Sequence, residues 1–152
     1  QLRPSSKGEV RIRSNDPAVP PIIQANYLST EYDEQTMVAG FKLAREIAAT
    51  AAMSEYIVEE YNVEKSVQTD AQILEWIRGN ASSIFHPVST CRMGNDELAI
   101  VDDRLQVRGV TGLRVVDASI MPLLISGNTN APSIMIAEKA ADMIKADSTK
   151  DK

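Results

Sequence analysis

The chain has 152 residues, and its only histidine and only cysteine, His86 and Cys91, fall together in the stretch HPVSTCRMG. An imidazole with an ordinary pKa near ~6.5 exchanges a proton around neutral pH without a large environmental shift, so His86 is a candidate general base. A thiol is a nucleophile only as its thiolate, and Cys91 reads more simply as a small apolar side chain. One histidine and one cysteine cannot complete a structural zinc site, which takes about four such ligands. No metal is therefore expected, and a single cysteine closes no internal disulfide.

A second stretch, VVDASIMPLLISGNTNAP at 115–132, also joins polar groups to tight backbone requirements. Asp117 falls at the C-terminal end of an expected strand, and Asn128, Thr129 and Asn130 fall at the start of an expected helix. In open α/β sheets, ligands bind in the crevice outside such strand ends. A helix N-terminus presents unpaired N–H groups and partial positive charge, which suits an anion or a ring that gains negative charge during reaction. Each group also has a purely structural reading. His86 can be a packed side chain, Asp117 can end a strand by bonding nearby backbone amides, and Asn130 can be an N-cap. Residue type alone leaves both readings open.

The elements that must position these groups follow from periodicity. GEVRIRSNDP alternates at Val10 and Ile12 and stops at Asn15-Asp16-Pro17, which predicts a half-buried strand ending in a turn. A second extended segment, VPPIIQANYL, is placed at a sheet edge because Pro20 and Pro21 donate no ladder hydrogen bonds. From Asp33 the period changes: Met37, Phe41, Ala44, Ala48 and Ala51, joined by Val38 and Ile47, predict an amphipathic helix to about Thr50. Residues 54–67 read as irregular. Thr69 with Gln72 forms a capping-box pattern ahead of Ile73, Trp76 and Ile77, and Gly79 suits the helix end.

Pro87 disfavours helix at His86, so ASSIFHPVST is expected to be extended. AIVDDRLQV predicts a tight β pair turning at Asp102-Asp103, RGVTG a turn, and LRVVD a strand covered on both faces. SIMIAEKAADMIKAD predicts a helix that is apolar over most of its circumference, with the tail frayed after Ala146. A strand, a polar loop and a buried helix in that order make the end of an α/β unit.

Composition bounds the function classes. Hydrophobic residues are 43% and charged residues 24%, an ordinary globular balance with enough apolar side chains for a core. The net charge of −5, with no basic patch, argues against a nucleic-acid or anionic-membrane surface. No run approaches the ~20 apolar residues of a membrane span, and the first residues are too polar for a secretory signal. The chain starts at Gln1 rather than Met and is expected to be a piece of a longer protein, so a missing signal says nothing of the whole.

Three ordered stretches, HPVSTCRMG, VDDRLQVRGVTGLRVVDASIMP and GNTNAPSIMIAEKAADMI, resemble the C-terminal signature of the glucose-methanol-choline (GMC) flavoprotein oxidoreductases. The likeness is nearest to the choline dehydrogenase and alcohol dehydrogenase branch, and LRPSSKGEVRIRSNDPAVPPIIQANYLS extends it upstream. The match is weak only over roughly residues 52–80. The resemblance implies an α+β fold: part of the substrate-binding domain (1–90), the closing strand and helix of the FAD-binding α/β domain (91–147), and a disordered tail (148–152). It implies FAD as cofactor and a small alcohol as substrate, oxidised by hydride transfer to the flavin while a base takes the hydroxyl proton.

The family's active-site histidine falls on His86 and its second active-site position on Asn130. The cofactor-contacting aspartate falls on Asp117, with Ala118 beside it. Asn128, Thr129 and Ala131 fall near the flavin's pyrimidine edge. Cys91 and Met93 are packing residues on this reading. An amide at 130 cannot take a proton but can hydrogen-bond and orient the substrate oxygen.

The family's G-x-G-x-x-G dinucleotide fingerprint does not occur among the seven glycines. The expected partners are therefore the N-terminal FAD-binding portion of the parent protein or a second copy of the chain, with no nucleic acid and no transmembrane segment. The competing expectation is a non-catalytic interaction or regulatory fragment that keeps the family's shape.

Overall fold

A computed structural model of the chain describes residues 1–150. Helices and one small antiparallel sheet occupy separate stretches, an α+β arrangement. The chain divides into two compact units, one of Arg3–Ser83 with Gln1 and one that runs from Ile84 onwards and includes Leu2.

The first unit opens with strands β1 (Glu9–Arg11) and β2 (Ile22–Gln24), antiparallel with Val10 opposite Ile23. A Cβ at Gly8 would lie 2.1 Å from the Gln24 carbonyl oxygen, so only glycine lets the two backbones approach this closely. The expected half-burial of the first strand is not found: Val10, Ile12 and Ile23 are all exposed. A two-stranded ribbon covers neither of its own faces, and burial requires a further layer.

Helix α1 (Glu31–Ala48) begins at Thr30, whose hydroxyl accepts the Asp33 N–H. Glu31, Asp33 and Glu34 in its first turn and Arg45 in its last match the helix dipole. A single turn, α2 (Ala51–Ser54), precedes the irregular stretch, and α3 (Asp70–Asn80) follows. The capping box at α3 forms as expected: Thr69 Oγ1 accepts the Gln72 N–H at 3.3 Å, and Gln72 Oε1 accepts the Thr69 N–H at 2.9 Å.

The two long helices of this unit pack around Val38, Val67, Ile73 and Ile77, with Phe41 and Trp76 against them. Each aliphatic side chain so buried contributes roughly 1.5–3 kcal/mol. The Phe41 and Trp76 ring centroids lie 5.4 Å apart, and the Arg45 guanidinium sits 4.6 Å over the Phe41 ring.

Asp33, only 1% exposed, serves a purpose its place in the first turn did not announce. Its carboxylate accepts the backbone N–H groups of Ser5 and Ser6, both at 2.8 Å, and the Gln1 side-chain amide at 2.7 Å. Burial acts to raise the carboxyl's pKa; the hydrogen bonds from Ser5, Ser6 and Gln1 overcome it and hold the group well below the usual carboxylate range. The first residues are thereby tied to the start of α1.

In the second unit the expected strand at 113–117 is absent. Only single bridges form, Met93 with Val101, Val101 with Val107, and Gln106 with Arg114. A strand covered on both faces takes its ladder from neighbours on either side, and the described residues offer it isolated bonds alone, such as Val115 N–H to the Leu105 carbonyl at 3.2 Å. The expected β pair at 99–107 likewise reduces to one bridge around a turn. Asp102 Oδ1 holds that turn by accepting the Arg104 and Gln106 N–H groups, both at 2.9 Å. Gly109 and Gly112 supply the positive φ angles of the RGVTG turn.

Helix α4 (Asn130–Lys150) closes the unit. Ile136 and Ala140 enter a core with Val101, Leu105, Ile120 and Met121, against which Val88, Met93, Val115 and Val116 pack. Ile134, Met135 and Ile144 of the same helix are exposed. The helix continues past Ala146, where Asp147 accepts hydrogen bonds from both Arg104 and Arg114 and ties the last turn to the 104–114 loop. Of the expected tail, residues 151–152 lie outside the described residues.

Candidate functional site

All of the residues singled out for chemistry lie in the second unit. His86 sits in a loop between two non-glycine residues with left-handed backbones, Phe85 at φ 59° and Ser89 at φ 73°. Such conformations cost about 1–3 kcal/mol each and persist where surrounding contacts over-determine them. The contacts are evident: Ser89 Oγ donates to the Met121 carbonyl at 2.7 Å, Cys91 N–H to the Ser119 carbonyl at 3.1 Å, and Met93 N–H to the Ile120 carbonyl at 2.8 Å. The HPVSTCRMG stretch is thus laced to the backbone of 119–121; the half-buried Cys91 and Met93 belong to that lacing, and Met93 packs against the core.

The half-buried imidazole reaches the start of α4. His86 Nδ1 lies 2.8 Å from Thr129 Oγ1, and Thr129 is buried at 9% exposure. The Thr129 carbonyl accepts the Ser133 N–H at 3.0 Å and the Ser133 hydroxyl at 2.6 Å. That first i to i+4 bond makes Thr129 the residue at the cap position and Asn130 the first residue within the helix. The structural reading of Asn130 as an N-cap is therefore overturned: the cap falls one residue earlier, because the helical hydrogen-bond ladder starts at the Thr129 carbonyl. Asn130 is exposed, as are Asn128 and Ala131. The amides of Asn130 and Ala131 are among those a helix leaves without an intrahelical acceptor.

Asp117 is exposed and not at the end of a strand. It caps a single 3₁₀ turn, Ala118–Ile120, by accepting the Ser119 N–H on Oδ1 at 2.7 Å. This uses one carboxylate oxygen on local backbone, the structural use foreseen for it, and leaves the carboxylate at the surface. Ala118 is half-buried beside it and packs against the core.

The structure thus brings His86 and Thr129 into contact and places Asn130 next along the chain, while Asp117 begins the 3₁₀ turn to which the His86 loop is bonded. Sequence reasoning took Thr129 for a cofactor contact and missed its bond to the histidine. It also missed Ser89, whose hydroxyl anchors the loop. The signal available for Thr129 was the proline three residues after it. Among the described residues, no group of three or more His, Cys, Asp or Glu side chains is placed to hold a metal ion, and no helix is long and apolar enough to cross a membrane.

Residues 4–137 match the family model described as GMC oxidoreductase. The chain is 49% identical over 144 residues to an oxygen-dependent choline dehydrogenase of Proteus mirabilis, covering 95% of this chain and 26% of that protein. It is 48% identical over 143 residues to an alcohol dehydrogenase [acceptor] of Pseudomonas putida, covering 94% and 26%. Among solved structures it is similar to a formate oxidase of Aspergillus oryzae, with a TM-score of 0.91 at 29% identity over 98% of this chain and 26% of that one. An FAD-dependent oxidoreductase of Chaetomium thermophilum matches with a TM-score of 0.89 at 31% identity, with the same coverage. The chain spans about a quarter of the length of these relatives.

Proposed function

This chain belongs to the GMC oxidoreductase family, and from that premise we propose that it is the C-terminal catalytic portion of an FAD-dependent enzyme that oxidises an alcohol to a carbonyl, with His86 as the base. The observation that carries this reading is the hydrogen bond between His86 Nδ1 and Thr129 Oγ1, which joins two sequence stretches 43 residues apart into one polar site. A ring held at Nδ1 keeps Nε2 for the substrate. Nε2 takes the proton of the alcohol hydroxyl, and the imidazole becomes imidazolium. The exposed amide of Asn130 donates to the substrate oxygen and orients the carbinol carbon.

The residues present fit the flavin end of FAD. The exposed start of α4 offers the amides of Asn130 and Ala131 and the side chain of Asn128, donors suited to the oxygen-rich edge of a pyrimidine ring. Thr129 joins this edge through its main chain, since its hydroxyl is committed to His86. Asp117, with one oxygen on Ser119 N–H, keeps the other as an acceptor for a ribityl hydroxyl, and Ala118 leaves room beside it. When bound, FAD supplies the hydride acceptor. Residues 1–90 belong on this reading to the substrate-binding domain and 91–147 to the FAD-binding domain. The remaining partner is the N-terminal portion that carries the pyrophosphate-binding turn.

The test is anaerobic reduction of the complete flavoprotein by a panel of primary alcohols. His86→Ala is expected to keep its FAD and to slow flavin reduction by roughly 10² or more, the scale of a general base. Wild-type reduction rates in His86→Ala would remove the histidine from the mechanism. A complete protein that no alcohol on the panel reduces would favour the non-catalytic reading.

A further inference from the structure

Four helices of this chain begin at a threonine; the Thr50 hydroxyl ahead of the single turn α2 donates to the Ile47 carbonyl, and the threonines of α1 and α3 are used alike. The Thr30 hydroxyl accepts the Asp33 N–H at the start of α1, and the Thr69 hydroxyl accepts the Gln72 N–H at the start of α3. In each case the donor is the amide three residues on, the ordinary target of an N-cap side chain. At α4 the residue three after Thr129 is Pro132, which has no N–H. The usual claimant on the hydroxyl is deleted by the sequence, and Thr129 Oγ1 meets His86 Nδ1 instead.

We propose that Thr129 is a positioning residue for His86: its hydroxyl oxygen accepts a hydrogen bond from Nδ1–H, holding the neutral imidazole in the tautomer whose Nε2 lone pair faces the substrate. The inference rests on the reading of His86 as the base. If Nε2 is to receive the alcohol's proton, the neutral ring must carry its own proton on Nδ1, and the group 2.8 Å away must accept. When the O–H bond of the substrate breaks, its electron pair stays on the alcohol oxygen and the proton forms a bond to Nε2. Nδ1–H keeps its bond to Thr129 throughout, and that bond strengthens as the ring becomes cationic. Thr129 is suited to this because its backbone is held and its β-branched side chain has few rotamers. It is buried, and its carbonyl is held by both the amide and the hydroxyl of Ser133.

The two directions of this hydrogen bond have opposite consequences, which makes the inference testable in the complete flavoprotein. An accepting hydroxyl favours the imidazolium, so Thr129→Val, similar in size but without the hydroxyl, is expected to move the acid limb of the pH profile for flavin reduction to lower pH, by roughly half a unit or more. It is also expected to slow reduction about tenfold through loss of orientation. Thr129→Ser, which restores the hydroxyl, is expected to recover both. Independently of turnover, ¹⁵N NMR of histidine-labelled protein, with His86 identified by its loss in His86→Asn, is expected to show the neutral ring protonated at Nδ1 in wild type and Thr129→Ser, and a mixture of tautomers in Thr129→Val.

A wild-type ring protonated at Nε2, or an acid limb that moves to higher pH in Thr129→Val, would show that the hydroxyl donates and would overturn the proposal. So would Val and Ser variants slowed alike with an unmoved pH profile, the mark of packing alone. Failure of the base reading has a different signature, undiminished flavin reduction in His86→Ala.

Discussion

Thr129 and Pro132 stand three residues apart at the start of α4, the spacing at which Thr30 and Thr69 each cap a backbone amide, and Pro132 has no amide to cap. Replacing Pro132 with alanine returns that N–H. The Thr129 hydroxyl is then shared between the amide and the imidazole. The acid limb of flavin reduction is expected to shift in the same direction as in Thr129→Val, by a smaller amount. A Pro132→Ala enzyme with a wild-type profile would show that the missing amide is not what turns Thr129 towards His86.

Asn130 is the first residue within α4 rather than its cap. Asn130→Ala is therefore expected to leave the stability of the complete protein within about 0.5 kcal/mol of wild type, the scale of an exposed substitution away from a cap. Flavin reduction is expected to slow, by less than in His86→Ala. Thermal unfolding and stopped-flow reduction of the same preparation check the two halves of this statement. A loss of about 1 kcal/mol with unchanged reduction would return Asn130 to a capping role.

The depressed pKa of the buried Asp33 makes a statement about acid stability. A carboxyl whose folded pKa lies below its unfolded value of ~3.9 contributes stability that is fully present above that value and is lost as pH falls towards the folded pKa. Asp33→Asn is expected to weaken the tie to Ser5 and Ser6 by about 2 kcal/mol at neutral pH, the scale of hydrogen bonds to a charged group. Amide exchange at Ser5 and Ser6 reads this as roughly thirtyfold faster opening. The difference from wild type is expected to hold down to about pH 4 and to narrow below it. Unchanged exchange at pH 7 would show that the carboxylate is not the tie.

Ile134, Met135 and Ile144 of α4, together with Leu123 and Ile125 before it, are exposed large apolar side chains. Residues 1–152 produced alone are expected to self-associate and to bind FAD weakly, because a dinucleotide held only at its flavin end lacks the pyrophosphate contacts of a glycine-rich turn. Sedimentation and the flavin absorbance of the purified chain are the measurements. A monodisperse monomer carrying stoichiometric FAD would contradict this.

Helices α1, α3 and α4 were legible because their signals are local. The cap at Thr69 acts across three residues, and apolar spacing acts across one or two turns. The extended stretches were less so. LRVVD has the composition of a buried strand, yet a strand is completed by its neighbours, and no property of residues 113–117 supplies them. The burial assigned to Val10 and Ile12 failed for the same reason, since a ribbon's two faces look alike until another layer selects one.

The residue types at 86, 117 and 128–131, and the order of the three stretches that carry them, determined the family and the kind of chemistry to look for. They could not decide what each side chain touches. Asp117 turned to its own Ser119, a choice local enough to foresee and impossible to rank against a cofactor without coordinates. The meeting of His86 with Thr129 was beyond the sequence, because it depends on Val88, Met93, Ile120 and Ile136 packing into one core and so drawing together segments 43 residues apart. Pro132 stood in the sequence throughout and removed an amide from the helix start. Only the tertiary structure showed what the freed hydroxyl meets, because a hydrogen bond acts over about 3 Å and the chain must fold to bring its partner there.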